Sequence, residues 1–262
     1  MDKNYFSVSS HLWESSTLQQ AKLHSHHEYE IYMFLEGNCY YVVEGRRYDL
    51  TPGDVIIIRK HEMHRVFHTS VARYHSLVFF VYPEFFKENG CEEYEQAFLD
   101  YGKDNKIDSS TVFTSGLQDA IDRLKKYSAN YKDNDSPVVK STLIELLYII
   151  NGIKSFEKPI KTNQAIKNVI NYLNKNFTGE VNLDLLADKF FISKFHLCRL
   201  FKQSTGLTVQ EYIRRKRLTL AMELKNDGLT LTEAAEKAGF NDYTSFYRYY
   251  KKRYKTPPKE IK

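Results

Sequence analysis

The sequence predicts an α+β chain of two domains: a β-rich N-terminal domain with helices appended to it, then an all-α C-terminal domain holding two helix-turn-helix units. Three observations lead there. One short pattern occurs twice, about 50 residues apart, over residues 183–202 and again over 231–251. Short β-branched and aromatic runs crowd residues 1–82. Charge divides the chain, because residues 163–262 carry 19 Lys+Arg against 10 Asp+Glu, a net +9, whereas residues 1–162 carry 19 against 23, a net −4.

In the repeat, each copy reads as a short helix with a small residue inside (Ala187; Ala234 and Ala235), a tight turn, and a helix opened by a capping residue (Ser193; Asp242). Helices that cross steeply need a small side chain where their backbones approach, and Gly239 can take the positive φ of a sharp turn. In the second helix of copy one, Leu197, Leu200 and Phe201 recur at helical spacing and anchor it inward. Phe195, Cys198, Arg199 and Lys202 then face solvent. In copy two, Phe246 and Tyr250 are the expected anchors, which leaves Tyr243, Thr244, Tyr247 and Arg248 outward. An exposed face with Arg at its centre suits guanine edges, and flanking Lys suits phosphates. Base contact is therefore expected of Phe195, Cys198, Arg199, Tyr243, Thr244, Tyr247 and Arg248. Phosphate contact is expected of Ser193, Lys194, Lys202 and Lys251. One copy alone would serve equally well as a small bundle with a solvated basic face. Two copies joined by a helix, in the basic half of the chain, favour double-stranded DNA.

Residues 165–262 resemble the DNA-binding domain of the AraC family of bacterial transcription regulators. Both helix-turn-helix units carry the resemblance, as do the joining helix over 209–221 and the closing segment 239–258. Lys255 stands where that family usually has Gly, and Tyr250 where it usually has Phe. The resemblance implies a homodimeric, cytoplasmic transcription regulator that meets RNA polymerase and activates rather than represses.

Strands are expected at 31–35, 39–43, 55–58 and 74–82, separated by turn signals at Glu36-Gly37-Asn38, Glu44-Gly45-Arg46 and Thr51-Pro52-Gly53-Asp54. Short strands at this spacing argue for a barrel or a sandwich. His24, His26, Glu30 and Gly37 have the spacing of the first cupin motif. His64 falls on the histidine of the second, although Arg59, His61 and His68 replace its Pro, Gly and Asn. A cupin-like barrel ahead of the DNA-binding domain is the common AraC-family arrangement, in which the barrel binds a small effector, often a sugar. Effector contact is expected of His24, His26, Glu30, Tyr32, Tyr41 and His64, with Tyr32 and Tyr41 stacking on a sugar face.

Two other readings of these residues stay open. His-x-His on a strand points both imidazoles to one face, so His24, His26, Glu30 and His64 could hold a divalent metal. That makes a metal sensor or a cupin metalloenzyme fused to a DNA-binding domain the alternative. The histidines could also be no more than satisfied polar groups at a barrel rim. The family resemblance points to a receptor, so no catalytic residue and no cofactor is expected. An effector-independent architectural DNA binder is the remaining class.

Residues 83–160 turn helical. Leu117, Ile121 and Leu124 recur on one face, and 138–153 is more apolar still through Leu143, Leu146, Leu147 and Ile150. That face fits either an antiparallel pairing between protomers or the chain's own barrel. The pattern then breaks, giving an effector-binding and dimerisation domain at 1–153, a linker at 154–163 and a DNA-binding domain at 164–262. Cys39, Cys91 and Cys198 are odd in number and far apart, which reads as free thiols in a reducing compartment. The opening Met-Asp-Lys-Asn-Tyr-Phe has no apolar h-region and no run reaches 18 apolar residues, so neither export nor membrane insertion is expected.

Overall fold

The computed structural model describes residues 6–14, 21–70, 73–100, 103–130, 136–156 and 164–258. They form two compact units, one built from within residues 1–160 and one carrying residues 161–262.

The first unit contains strands β1 (Phe6–Glu14), β2 (Tyr29–Glu36), β3 (Cys39–Val43), β4 (Arg46–Asp49), β5 (Val55–Ile58), β6 (His64–His68), β7 (Arg73–Val81) and β8 (Lys106–Ile107). They make a five-stranded sheet in the order β1-β7-β2-β5-β8 and a three-stranded sheet in the order β4-β3-β6. Helices α1 (Pro83–Glu88), α2 (Gln96–Leu99), α3 (Ser109–Thr114), α4 (Leu117–Asn130) and α5 (Pro137–Phe156) follow. Strand side chains alternate between faces, and here both faces of the larger sheet are covered. Ile31 and Met33 of β2, Val55 and Ile57 of β5, and Leu77 and Phe79 of β7 pack with the helices. Their neighbours Tyr32, Phe34, Ile56, Ile58 and Val78 pack with Cys39, Tyr41, Val43 and Tyr48 of the smaller sheet. Three layers result, and this explains why β2, β5 and β7 read as nearly unbroken apolar runs.

The strands that the sequence pattern does not reveal have physical reasons to be hidden. β1 carries Ser9, Ser10 and His11 in succession, and β4 and β6 carry Arg46, Arg47, His64, Arg65 and His68, which blur the alternation, while β8 spans two residues. The apolar face of α4 and α5 is settled as internal. Leu117, Ile121, Leu124, Leu143, Leu146, Leu147 and Ile150 are all fully buried against the unit's own sheet. Helix α5 also continues through Phe156, so residues 154–156, expected in the linker, are its last turn, and the rest of the expected linker lies outside the described residues. Lys154 explains the extension: its buried Nζ donates to the carbonyls of Asp104 and Lys106 at 3.1 and 3.2 Å, which fastens this turn to the sheet.

The second unit is helical: α6 (Gln164–Asn176), α7 (Leu183–Lys189), α8 (Lys194–Thr205), α9 (Val209–Asn226), α10 (Leu231–Lys237) and α11 (Tyr243–Tyr254). Each of α7 to α11 opens on a side chain that accepts a backbone N–H, supplied by Asn182, Ser193, Thr208, Thr230 and Asp242. Such caps satisfy donors that the first turn leaves unpaired and are each worth about 1 kcal/mol. The small residues do what the repeat requires, since Ala187, Ala234 and Ala235 are buried where helices meet. Among the described residues no helix is long and apolar enough to cross a membrane.

Lys255 ends α11 in the left-handed region, at φ 62°. A side chain there crowds the following carbonyl, at a cost of roughly 1–2 kcal/mol that glycine avoids. Lys255→Gly is expected to stabilise this unit by about 0.5–1 kcal/mol in a denaturant titration. A loss of stability instead would mean that the lysine side chain holds the terminus by its own contacts.

Candidate DNA-binding surface and effector site

Caps set the two recognition helices. Ser193 Oγ accepts the His196 N–H at 3.3 Å, and Asp242 Oδ1 accepts the Ser245 N–H at 2.7 Å. The Ser245 backbone N–H, joined by its hydroxyl, holds the Asp242 carboxyl below the usual carboxylate range. Fixing where a helix begins fixes which residues face outward, because positions three and four apart share a face. On α8, Leu197 and Phe201 are fully buried and Leu200 half-buried, so Phe195, Cys198, Arg199 and Lys202 are exposed as expected. Arg199 is steadied by its own helix, with a guanidinium nitrogen 3.2 Å from His196 Nδ1. Ser193 and Lys194 are exposed too, and Lys194 pairs with Asp184 at the start of α7.

Helix α11 departs from the expectation in two places. Tyr249, not Tyr250, is the second buried anchor beside Phe246, and its hydroxyl donates to Glu211 of α9 at 3.0 Å. Tyr250 is half-buried, with its ring against Phe246. The spacings of three and four residues from Phe246 both fit a helix, and the hydroxyl's partner on α9 selects the former. Tyr243 does not point freely outward. Its half-buried ring lies 5.8 Å from that of Phe246, which leaves Thr244, Arg248 and Lys251 fully exposed and Tyr247 half-buried. A further feature goes unnoticed in the sequence pattern. Phe191, in the turn between α7 and α8, is 97% exposed at φ 51°, at the position Gly239 occupies in the second copy. Superimposing the two copies residue by residue would have exposed it.

The other site lies in the first unit, around Glu30, His24 and His64. Strand alternation puts Glu30 on the face of β2 that Tyr32 shares. Glu30 Oε1 accepts the Tyr41 hydroxyl at 2.9 Å, and Oε2 lies 3.4 Å from His64 Nε2. His64 Nδ1 is 2.7 Å from the Glu62 carbonyl and His24 Nδ1 is 2.8 Å from the Lys22 carbonyl. A carbonyl can only accept, so each Nδ1 carries a proton. His24 and His64 also exchange backbone hydrogen bonds of 3.1 and 2.9 Å and bring their rings to 4.3 Å. Donor atoms of His24, Glu30 and His64 all lie within 4.8 Å of one another. The first unit thus gathers three of the expected effector residues, Glu30 and His64 buried and His24 exposed, whereas His26 belongs to the second unit.

The pair Tyr32 and Tyr41 is placed differently from the expectation. Both rings are buried and meet edge-on at 4.8 Å, so neither offers a face for stacking on a sugar. The Tyr32 hydroxyl shares a 2.7 Å hydrogen bond with that of Tyr74, and burial pushes Tyr74 up to about 12. These phenols are neutral hydrogen-bonding groups. His-x-His is not part of a strand either, since only His24 forms an isolated bridge and β2 begins at Tyr29. His61 stands where the cupin motif has glycine and takes φ 60°, so the backbone of that turn is kept without its usual residue.

Residues 14–147 match the family model of the AraC-like ligand binding domain, and residues 186–262 match that of a helix-turn-helix domain. The chain belongs to the AraC family. This regulator is 27% identical over 252 residues to the HTH-type transcriptional activator RhaS of Escherichia coli O1:K1 / APEC, across 94% of this chain and 89% of the relative. It is 28% identical over the same length to RhaS of E. coli strain ED1a. A solved structure of ToxT from Vibrio cholerae O395 aligns over 98% of this chain and 96% of its own, with 13% identity and a TM-score of 0.47. As an AraC-family member, the protein is a DNA-binding transcription regulator with a ligand-binding domain, and not an enzyme.

Thiol accessibility of this AraC-family regulator separates its surfaces. Cys39 and Cys91 are buried, and burial pushes them up to about 12 and about 11 respectively. Cys198 is exposed on α8. Because the thiolate is the reactive species, an aromatic disulfide reagent at pH 8 is expected to titrate one thiol rapidly in the native protein and three after unfolding. Rapid reaction of two thiols would show that one of the buried sites opens readily.

Proposed function

We propose that this protein is an effector-responsive transcriptional activator whose recognition helices α8 and α11 enter successive major-groove segments. The observation that supports this most is the pair of capped helices in one unit, each with an exposed Arg at its centre, Arg199 and Arg248. Major-groove segments on one face of a duplex recur about every 34 Å. In this reading Phe195, Cys198, Arg199, Thr244, Tyr247 and Arg248 read base edges, joined by the outer edge of Tyr243. Ser193, Lys194, Lys202 and Lys251 hold phosphates. The ligand-binding domain at 1–153 takes a small molecule at Glu30, Tyr41, His64, His24 and His26, with Tyr32 behind Tyr41 as support. The activator RhaS is the relative that favours activation. A cytoplasmic homodimer that contacts RNA polymerase completes the proposal, and with the apolar face of α5 consumed internally its dimer contact would use other surface.

Fluorescence anisotropy tests this, with the full chain on its own upstream DNA and on scrambled DNA across a salt series. The expected result is a preference of about a thousandfold or more, the usual range for specific binders. Similar affinities that fall together with salt would mean phosphate contact alone and would overturn the reading.

One observation favours a second reading of the effector. Two imidazoles and a carboxylate converge, and both rings are oriented by carbonyls as metal-binding histidines commonly are. A divalent ion would fit this donor set. Calorimetric titration with Zn²⁺ and Ni²⁺ decides between the two: one site per chain, lost in His64→Ala, favours the ion, and no uptake favours an organic effector.

A further inference from the structure

We infer that Arg217 is a positioning residue that locks the two helix-turn-helix units into one rigid reader. The inference rests on the DNA-binding reading and adds to it what sets the geometry of the two recognition helices. Among the described residues, the second half of the helical unit has a core cluster of its own. The second half buries Leu218, Ala221, Leu231, Ala235, Ala238, Phe240, Phe246 and Tyr249 in a cluster that contains no residue of α6, α7 or α8. Among the described residues, the turn that follows α6 joins the halves as α9 itself does.

Two contacts converge on that turn. Arg217 of α9 donates from Nε to the Phe177 carbonyl and from an Nη to the Gly179 carbonyl, both at 2.7 Å. Carbonyls at the end of a helix lack partners within it and carry the negative end of its dipole, so a guanidinium there forms short, charge-assisted bonds. From the other side, the turn between α10 and α11 presses on the same residues. A Cβ built on Gly239 would stand 2.3 Å from the Thr178 carbonyl oxygen, and Gly239 has φ 94°. The turn after α6 therefore touches α9 through Arg217 and the second helix-turn-helix through Gly239. Beside this contact opens a cleft of about 560 Å³ lined by Gln210, Ile213, Arg214 and Ser245 among others. A two-pronged strut at this turn therefore sets the angle between the halves.

A rigid pair of readers gains affinity because the second engages at a high effective concentration once the first has bound. It also reads spacing, because a half-turn displacement of one segment, about five base pairs, takes it off the bound face. The strut supplies both properties, and the base-contacting residues supply neither.

The test uses the full chain and a duplex it selects from a random pool, together with single half-sites and versions with one, two or five base pairs inserted between the halves. Arg217→Ala is expected to weaken binding to the intact site on the order of tenfold or more while half-site affinity stays within about twofold. The penalty for one or two inserted base pairs is expected to shrink. Arg217→Lys, which keeps the charge and a single prong, should fall between. If Arg217→Ala weakens intact and half sites equally, Arg217 acts as a phosphate contact or a fold residue and the inference fails. If the wild type selects no sequence at all, it is the DNA-binding reading that fails.

A measurement without DNA guards against loss of fold. Spin labels on Gln203→Cys and Lys252→Cys, in a Cys198→Ser background, report the distance distribution between α8 and α11. The expected result is a narrow distribution that broadens in Arg217→Ala while helical content by circular dichroism is unchanged. An equally narrow distribution in the variant overturns the strut.

Discussion

Gly239→Ala is expected to destabilise the helical unit by about 3 kcal/mol or more, the largest single effect we anticipate there. Two costs fall on one methyl group. At φ 94° an L side chain is strained, and its Cβ would meet the Thr178 carbonyl oxygen at 2.3 Å, inside any real contact. The obstacle is backbone, so no rotamer change can relieve it; the turns after α6 and after α10 would have to separate. Denaturant titration with separate probes for the two units checks this. The β-rich unit should keep its midpoint while the helical unit loses most of its own. A change below about 1 kcal/mol would mean that the two turns separate at little cost, and that the contact invoked for the strut is soft.

Truncating Arg199 should cost about 1–3 kcal/mol in binding to the selected site, roughly 5- to 150-fold, and relax the preference at a single base position. The structure supports a local effect. Arg199 is exposed, its guanidinium meets His196 one turn earlier on the same helix, and the anchors Leu197 and Phe201 face the other way. Lys202→Ala is the useful contrast, since a phosphate contact should weaken all sequences alike and lower the salt slope by about one. Binding to the selected site and to random DNA should therefore respond differently to Arg199→Ala. Equal losses on both would remove Arg199 from the base readers.

The repeat was legible because a helix-turn-helix is specified locally: a small residue at the crossing, a turn, a cap and an apolar period all fall within about 20 residues. For the same reason Ser193 and Asp242 read as caps, and Phe195, Cys198, Arg199 and Lys202 read as outward on α8, whereas Leu200 is only half-buried and the exposed His196 is not singled out. Tyr249 was misjudged because two positions fit the helical period equally, and only a partner 38 residues away, Glu211, chooses between them. The His24 cluster was legible as a set of residue types at motif spacing. What could not be read was the condition of Tyr32 and Tyr41, because burial depends on the second sheet closing over the first. Arg217 was hidden for a related reason: among the four consecutive cations from Arg214 to Arg217, nothing local says which one reaches the turn after α6.

The separate core of the second half bears on how the helical unit comes apart. Segments that share no buried cluster can open independently, each with its own protection against amide exchange. The amides of α10 and α11 would then exchange with kinetics of their own, distinct from those of α6 to α8, even while the whole unit counts as folded. A duplex gripped by both recognition helices spans the gap from outside. Operator DNA would therefore merge two openings into one, and slow exchange most in whichever half is the looser on its own.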